Sequence, residues 1–240
     1  MKIEQYTDIH THILPGIDDG AVNITMTLRM IEIAKENGIC NMIATPHHIP
    51  GEAYDLLELD SVYESVKSEF AKFNMNLFLG NEIYLNSGTL DSLLSGKALT
   101  LAKTRYVLIE CSPAEGYRNL YNGLRDLLLN GYIPILAHVE RYHCLIRDIK
   151  RIGELISLGC YIQVNASSLS GSMFSSELRF IKKLLKLDEI HFIASDCHNT
   201  KERSPRLADG VNRCKRWLTD AQLQKIFYEN PKKLLENKLI

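Results

Sequence analysis

No apolar run in the 240-residue chain approaches the ~18 residues of a membrane-spanning helix. The first ten residues already include Glu4, Asp8 and His10, which breaks the pattern of a secretory leader. These absences lead to the expectation of a cytoplasmic protein with no direct membrane insertion. An excess of either charge is also lacking: 28 Lys and Arg stand against 29 Asp and Glu, a formal net charge of −1. Neither a nucleic-acid backbone nor an anionic leaflet would attract such a chain as a whole, so no nucleic-acid partner is expected and any anion binding must be local. None of the six cysteines (Cys40, Cys111, Cys144, Cys160, Cys197, Cys214) stands in a C-x-x-C pair. That leaves neither a thiolate zinc site nor a redox pair, and the thiols read as reduced, mostly buried small apolar groups. Linkers, repeats and low-complexity segments are missing too. The chain therefore reads as one domain, residues 1–240, within the ~200–250 residues common for α/β barrels.

What is present is a rhythm. Short β-branched or apolar runs predict strands near Tyr6–Ile9, Asn41–Thr45, Leu77–Ile83, Tyr106–Glu110, Ile133–His138, Tyr161–Val164 and His191–Ser195. Between them, helical periodicity marks Thr25–Asn37, Asp55–Phe73, Leu120–Asn130, Ile149–Leu158 and Glu177–Leu187. Glycines in "ENGIC", "LNGYIPI" and "SLGCYI" fall just before the next strand, where a helix C-terminus needs a left-handed residue. Alternating strands and helices imply a parallel sheet, and seven such units favour a closed or nearly closed barrel. The tail, about 220–240, reads as helices packing on the barrel, with Asn230 capping a helix that starts at Pro231.

The polar residues fall at the strand ends. The stretch "YTDIHTHILPGIDDGA" delivers His10 and His12, followed by Asp18 and Asp19; "ATPHH" delivers His47 and His48. Glu82 in "LGNEIY", Glu110 in "VLIECS", His138 and Arg141 in "LAHVER", and Asp196 and His198 in "ASDCHN" complete the series, while the sixth strand offers Asn165. In a β/α barrel these ends share one face. Residues two apart on an extended segment point the same way, so the pairs His10 and His12, and Asp196 and His198, can each reach one point. Buried strand ends usually carry apolar residues, because an unpaired charge there costs several kcal/mol. A metal cluster accounts for the set better than scattered salt bridges do. Five histidines (His10, His12, His47, His138, His198) with Asp19, Glu82, Glu110 and Asp196 are too many ligands for one ion and enough for two or three. Imidazole and carboxylate without thiolate suit manganese, iron or zinc. Three divalent ions over four carboxylates would leave a surplus of positive charge, suited to a hydroxide and a phosphate ester.

In this order, the segments "DIHTH", "DDGA", "TPH", "NEIY", "LIE", "AHVERY" and "ASDCHN" resemble the PHP superfamily, named for polymerase and histidinol phosphatase. Within it, "LIECS", "AHVERY" and "ASDCHN" followed by Arg203 are similar to the bacterial capsule and exopolysaccharide tyrosine phosphatases, the CpsB/CapC/YwqE group. The resemblance implies a distorted seven-stranded (β/α)7 barrel with a trinuclear, usually manganese-dependent site. It implies one ion on His10, His12, Glu82 and Asp196, a second sharing Glu82 with Glu110 and His138, and a third on His47, His198 and a loop aspartate. Asp18 and Asp19 compete for that last place, and Asp19 is preferred because the family's aspartate directly precedes its glycine, here Gly20. Arg141 and Arg203 match the family's phosphate-gripping arginines. With His47 and His198 they make up the expected catalytic set. The implied substrate is a tyrosine-phosphorylated protein, in particular a cognate bacterial tyrosine kinase controlling capsule or exopolysaccharide synthesis. Another phosphoesterase of the superfamily, such as a histidinol-phosphate phosphatase, and a non-catalytic phosphotyrosine-binding protein are the alternatives.

The chemistry expected of this set is attack by a cation-acidified water on phosphorus. The arginines would hold the phosphoryl oxygens. A phenolate leaving group of pKa ~10 needs less protonation than an alkoxide. Cys197, separated by five residues from Arg203, which Ser204 follows, mimics the signature loop of cysteine-dependent tyrosine phosphatases, but no glycine lies between Cys197 and Arg203 to shape a phosphate cradle. His48 is expected to point away from His47, His143 and His191 to be surface or packing residues, and Asp8 to orient an imidazole.

Overall fold

The computed structural model describes residues 5–170 and 175–240. Among the described residues nine short strands, all paired in parallel, curl into a half-barrel: β1 (Tyr6–Thr11), β2 (Ile39–Ala44), β3 (His47–His48), β4 (Asn76–Leu79), β5 (Glu82–Tyr84), β6 (Tyr106–Glu110), β7 (Ile133–Leu136), β8 (Tyr161–Asn165) and β9 (Phe192–Ala194). Their order is β1-β2-β4 in one sheet and β3-β5-β6-β7-β8-β9 in the other. An isolated bridge from Thr11 to Cys197 brings β1 back beside the end of β9.

The third expected strand, Leu77–Ile83, is split into β4 and β5, and the second, Asn41–Thr45, is followed after a break by β3, which lies beyond its expected bounds. The second breaks at Pro46, which has no N–H to continue a ladder. The third breaks at Gly80 and Asn81: a Cβ on Gly80 would sit 2.8 Å from Leu101 Cδ2 and 3.0 Å from Leu101 Cα, so the chain can bend against that turn only without a side chain. Asn81 ties the two breaks together by donating to Pro46 O (2.9 Å) and accepting from Leu99 N–H (2.8 Å).

The helices on the outer layer are α1 (Ile24–Glu36), α2 (Leu56–Lys72), α3 (Thr89–Leu94), α4 (Tyr117–Leu129), α5 (His143–Ile146), α6 (Lys150–Leu158), α7 (Ser176–Lys186) and α8 (Leu207–Cys214). Of these, α3, α5 and α8 lie outside the helices that periodicity predicts, being at most eight residues long. Side-chain caps start α1, α2 and α7 at Asn23, Asp55 and Ser175.

Strand alternation sorts the core. On β6, Val107 and Ile109 join the outer core under the helices, while Tyr106 and Leu108 belong to an inner cluster with Ile9, Ile43, Ile135 and Phe192. The same period continued one step puts Glu110 on the inner side of β6, and likewise Gln163 and Asn165 on β8, opposite to Ile162 and Val164. The interior is thus apolar at the start of the strands and polar at their ends.

The tail closes the apolar end. Helix α9 (Asp220–Gln224) opens with a capping box between Thr219 and Gln222, runs through a π-helical turn at Lys225–Glu229 and continues into α10 (Asn230–Leu235). Leu234 joins the inner cluster, and Tyr106 Oη donates to Lys238 O at 2.6 Å. Asn230 is not a cap: it lies within continuous helix, is buried, and donates from Nδ2 to His191 O at 2.8 Å. The π turn removes the chain break that a cap would need.

His191 is a packing residue. Its ring stands edge-on to Tyr161 at 4.8 Å and its Nδ1 accepts Ile162 N–H at 3.1 Å. Burial, with Lys225 nearby, lowers its pKa to about 4. A histidine depressed in the folded state holds fewer protons than in the unfolded chain, so its contribution is complete above pH ~6.5 and is lost as pH falls toward 4. A shift of this size corresponds to a loss of about 3 kcal/mol. Denaturant unfolding at pH 7 and pH 4.5 should therefore show a smaller loss for His191→Gln than for the wild type, and parallel losses would refute it.

Candidate metal centre

Four donor atoms meet at the polar end of the barrel. His10 Nε2 and His12 Nε2 lie 3.2 Å apart, each is 3.1 Å from Glu82 Oε2, and they stand 3.4 and 3.5 Å from Asp196 Oδ1. A divalent ion with bonds of ~2.1 Å spaces neighbouring ligands ~3.0–3.4 Å apart, so these separations match the edges of a coordination polyhedron. All four residues are buried.

The other imidazole nitrogens are already engaged. His12 Nδ1 is 2.6 Å from Asp18 Oδ2, and His10 Nδ1 is 3.3 Å from Gln163 Oε1. With Nδ1–H donating to an oxygen, each Nε2 presents its lone pair to the shared point. His198 Nδ1 is 3.0 Å from Asp196 O, and its buried Nε2 makes no hydrogen bond. An orphaned buried nitrogen of this kind is what a ligand awaiting a cation looks like.

Two further donor sets adjoin the first. His12, Asp19, His47 and His198 form one, with Asp19 Oδ1 at 3.4 Å from His47 Nε2 and 3.2 Å from His198 Nε2. His47, Glu82 and Glu110 form the other, with His47 Nδ1 at 3.2 Å from Glu82 Oε2 and 2.9 Å from Glu110 Oε1. His138 Nε2 reaches Glu82 Oε1 at 2.7 Å and Glu110 Oε2 at 3.7 Å. Each of the nine expected ligands thus stands in this cluster, and His47 turns one nitrogen toward each flanking set. The residues present fit a group of divalent cations.

The electrostatics follow from the crowding. Burial opposes ionisation of Glu82, but His10, His12 and His138 overcome it and hold the carboxyl well below its ordinary range. Burial and Glu82 oppose Asp196 too, and His10, His12 and Arg141 again win, keeping it ionised. Burial would lower His12, yet its bonds to Asp18 and Glu82 raise it to about 10. Burial and His12 together push His198 down to about 4. Without cations, protons and guanidinium groups balance the carboxylates: Arg141 Nη2 meets Asp196 Oδ2 at 2.7 Å and Arg203 Nη2 meets Asp196 Oδ1 at 2.8 Å.

Backbone geometry positions these groups. Asp196 and His138 have φ of 52° and 33°, the left-handed region that non-glycine residues seldom adopt, and such strain concentrates at functional sites. Asp196 N–H donates to His10 O at 3.0 Å, and Asn165 Nδ2 donates to Asp196 Oδ2 at 2.7 Å. Gln163, which strand-end reading passed over, accepts His138 N–H at 2.9 Å as well as facing His10. Its signal was the period of two running from Tyr161 to Asn165. Buried Glu140, also passed over, accepts Asn165 N–H at 2.8 Å.

Asp8 does not orient an imidazole. Its Oδ1 accepts Ser195 N–H at 3.0 Å, pinning β1 to the chain just before Asp196, and burial raises its pKa to about 6. The imidazole-orienting carboxylate is Asp18, which also accepts Gly20 N–H at 2.9 Å and His47 N–H at 3.1 Å. Asp18 therefore has its oxygens occupied, whereas exposed Asp19 faces His47 and His198. His48 points away, as expected, with Nε2 2.7 Å from Ser92 Oγ. His143 is exposed. Tyr142 is buried with its hydroxyl 3.4 Å from His138 Nδ1. Cys197 is fully buried and burial pushes its thiol well up, which removes the thiolate a cysteine mechanism needs.

A parallel α/β half-barrel with clustered imidazoles and carboxylates at its strand ends, flanked by two arginines, defines a metallohydrolase-type site. Residues 6–236 match the family described as capsular polysaccharide synthesis, CpsB/CapC, and the chain belongs to that family. It is 30% identical over 246 residues to the tyrosine-protein phosphatase CpsB of Streptococcus pneumoniae, covering 97% of this chain and 99% of that protein. Identity to the tyrosine-protein phosphatase YwqE of Bacillus subtilis is 32% over 244 residues, covering 97% of this chain and 92% of that one. Among solved structures, one chain from work described as crystal structures of YwqE from Bacillus subtilis and CpsB from Streptococcus pneumoniae, metal-dependent tyrosine phosphatases, superposes with a TM-score of 0.89 at 30% identity, covering 98% of this chain and 96% of that one.

The loop after His12 offers a direct test of the cluster. A Cβ on Gly20 would fall 2.1 Å from His12 O and 2.5 Å from His12 Cβ, so any side chain there must displace His12. Gly20→Ala should weaken Mn2+ binding in isothermal titration about 10- to 100-fold, the usual cost of disturbing a ligand's support. Wild-type affinity would show that the loop and His12 are not coupled.

Proposed function

We propose that the chain is a metal-dependent tyrosine-protein phosphatase that acts on a tyrosine-phosphorylated protein, in the first place a cognate bacterial tyrosine kinase of capsule or exopolysaccharide synthesis. The observation that carries this reading is the run of three donor sets sharing His12, His47 and Glu82, with two arginines on the carboxylate of Asp196. The relatives named as tyrosine-protein phosphatases over nearly the whole chain support it.

In this reading the fold is a distorted seven-stranded barrel in which β2 with β3, and β4 with β5, each count as one strand, and residues 1–240 form one domain. Among the described residues no helix is long and apolar enough to cross a membrane. We assign the protein to the cytoplasm, where its kinase substrate would present phosphotyrosine. His10, His12, Glu82 and Asp196 would hold one divalent ion, Glu82, Glu110 and His138 a second, and Asp19, His47 and His198 a third. Manganese is the proposed metal for this thiolate-free set, with iron and zinc accommodated by the same donors. When bound, the ions supply an acidified water and neutralise charge on the phosphoryl oxygens.

The chain's own groups do the rest. Exposure rises from the buried first set to His47 (31%), Arg203 (37%), Arg141 (41%) and Asp19 (65%), so a phosphoryl group enters over the arginines and His47. Each guanidinium keeps further N–H donors beyond the one that Asp196 takes, and these grip the equatorial oxygens as charge builds. His47 and His198 would take part in catalysis as holders of the outermost ion, beside the entering group. Gln163, Asn165 and Asp18 hold the first set rigid.

Phosphate release from a phosphotyrosine peptide, a phosphoserine peptide and histidinol phosphate, each with Mn2+ or with chelator, tests the assignment. Phosphotyrosine should be preferred and chelation should abolish its turnover; turnover surviving chelation, or a preference for histidinol phosphate, would overturn it. With the same assay, Arg203→Ala should raise KM for the phosphopeptide about tenfold or more. Cys197→Ser should stay active, and its complete loss of turnover with intact folding would restore the cysteine mechanism.

A further inference from the structure

Beside the proposed metal centre lies a groove of about 600 Å3, within the ~300–1,000 Å3 usual for ligand clefts. Its wall is built by Tyr84 at the end of β5, Asp91 on α3, Glu115 in the loop before α4, and Asn119, Asn122 and Asp126 along α4. Every charged residue lining it is acidic, in a chain whose overall charge is nearly balanced. Asp126 meets Arg125 at 3.2 Å, an exposed pair that solvent screens strongly, and Glu115 accepts Gly116 N–H and Asn119 Nδ2 at 3.0 Å. Arg125 thus offsets part of the Asp126 charge, while Asp91 has no basic partner and Glu115 only neutral donors among the described residues.

The groove adjoins the site through the β5–β6 ladder. Tyr84 stands opposite Glu110 in the β5–β6 ladder, Leu85 N–H donates to Glu110 O at 2.7 Å, and Glu82 lies two residues before Tyr84. Gly123 lets Leu85 close down on α4, since a Cβ there would come within 2.9 Å of both Leu85 methyls. Along α4, Asn119, Asn122 and Asp126 follow helical spacing on one face, a path of ~10 Å. An extended peptide covers that distance in about three residues. The two amides can pair with a peptide backbone, and the carboxylates with cationic side chains.

We propose that this groove receives the polypeptide flanking the phosphotyrosine and selects substrates carrying Lys or Arg close to it in sequence. The inference rests on the tyrosine-phosphatase reading and names its substrate class. It also resolves a conflict of charge, because the phosphate is drawn to the arginines and cations while the flanking residues are drawn to carboxylates a few residues away.

The test is steady-state kinetics on the Mn2+-loaded protein with phosphotyrosine peptides bearing three lysines or three glutamates, on the N-terminal or the C-terminal side. A lysine peptide should exceed its glutamate counterpart about tenfold in kcat/KM on at least one side, the size of a few exposed ion pairs, and mainly through KM. Added salt should shrink the ratio. The triple variant Asp91→Asn, Glu115→Gln, Asp126→Asn should bring the ratio near one. A charge-matched control, Glu32→Gln, Glu64→Gln, Glu69→Gln, should keep it. Equal rates on all peptides, or a ratio that survives the groove variant or falls equally in the control, would overturn the groove assignment while leaving the phosphatase reading intact. Failure of the wild type on every phosphotyrosine peptide and on an aryl phosphate would instead overturn the phosphatase reading and this inference with it.

Discussion

Two imidazole nitrogens 3.2 Å apart, each held 3.1–3.5 Å from two carboxylate oxygens, is an arrangement that costs free energy unless something positive sits among them. The surrounding structure is arranged to sustain it. Asp18 and Gln163 fix the outward nitrogens, Asn165 and the left-handed turn at Asp196 fix the carboxylate, and Asp8 binds β1 to the chain entering that turn. Each of these contacts takes away a way for the donors to move apart.

The barrel supplies that rigidity by dividing its interior. Tyr106, Leu108, Ile135 and Phe192 fill the end where the strands begin, and the tail's Leu234 seals it. The strand ends carry the polar groups, so the donors rest on a packed apolar floor and open only toward the rim. The breaks at Pro46 and at Gly80 with Asn81 let β3 and β5 turn inward, which places His47 beside Glu82 in register. Strain at His138 and Asp196 is held by this packing.

Much of this was legible in the sequence. Histidines and acids at six strand ends, spaced by two in His10 and His12 and in Asp196 and His198, picked out nine residues that the structure gathers at one end of the barrel. Residue type and period carry that information because a strand has only two faces and its charged ends have few ways to be satisfied. The supporting contacts were less legible. Asp8 and Asp18 have the same chemistry and similar local context, yet one binds the backbone before Asp196 and the other an imidazole. Gln163 has no charge to mark it, and Asn230 looked like a cap because the π turn before it has no sequence signature of its own.

By itself, the sequence determined which residues can bind cations, that they lie at strand ends, and that the scaffold is a parallel α/β sheet, since these follow from local periodicity and donor chemistry. Only the tertiary structure decided which donors share a point, which carboxylate faces the cluster and which one braces it, and where the acidic groove meets the site. Those outcomes depend on contacts between residues from different strands and loops, such as His10 with Glu82 and Asp196, and no local pattern encodes them.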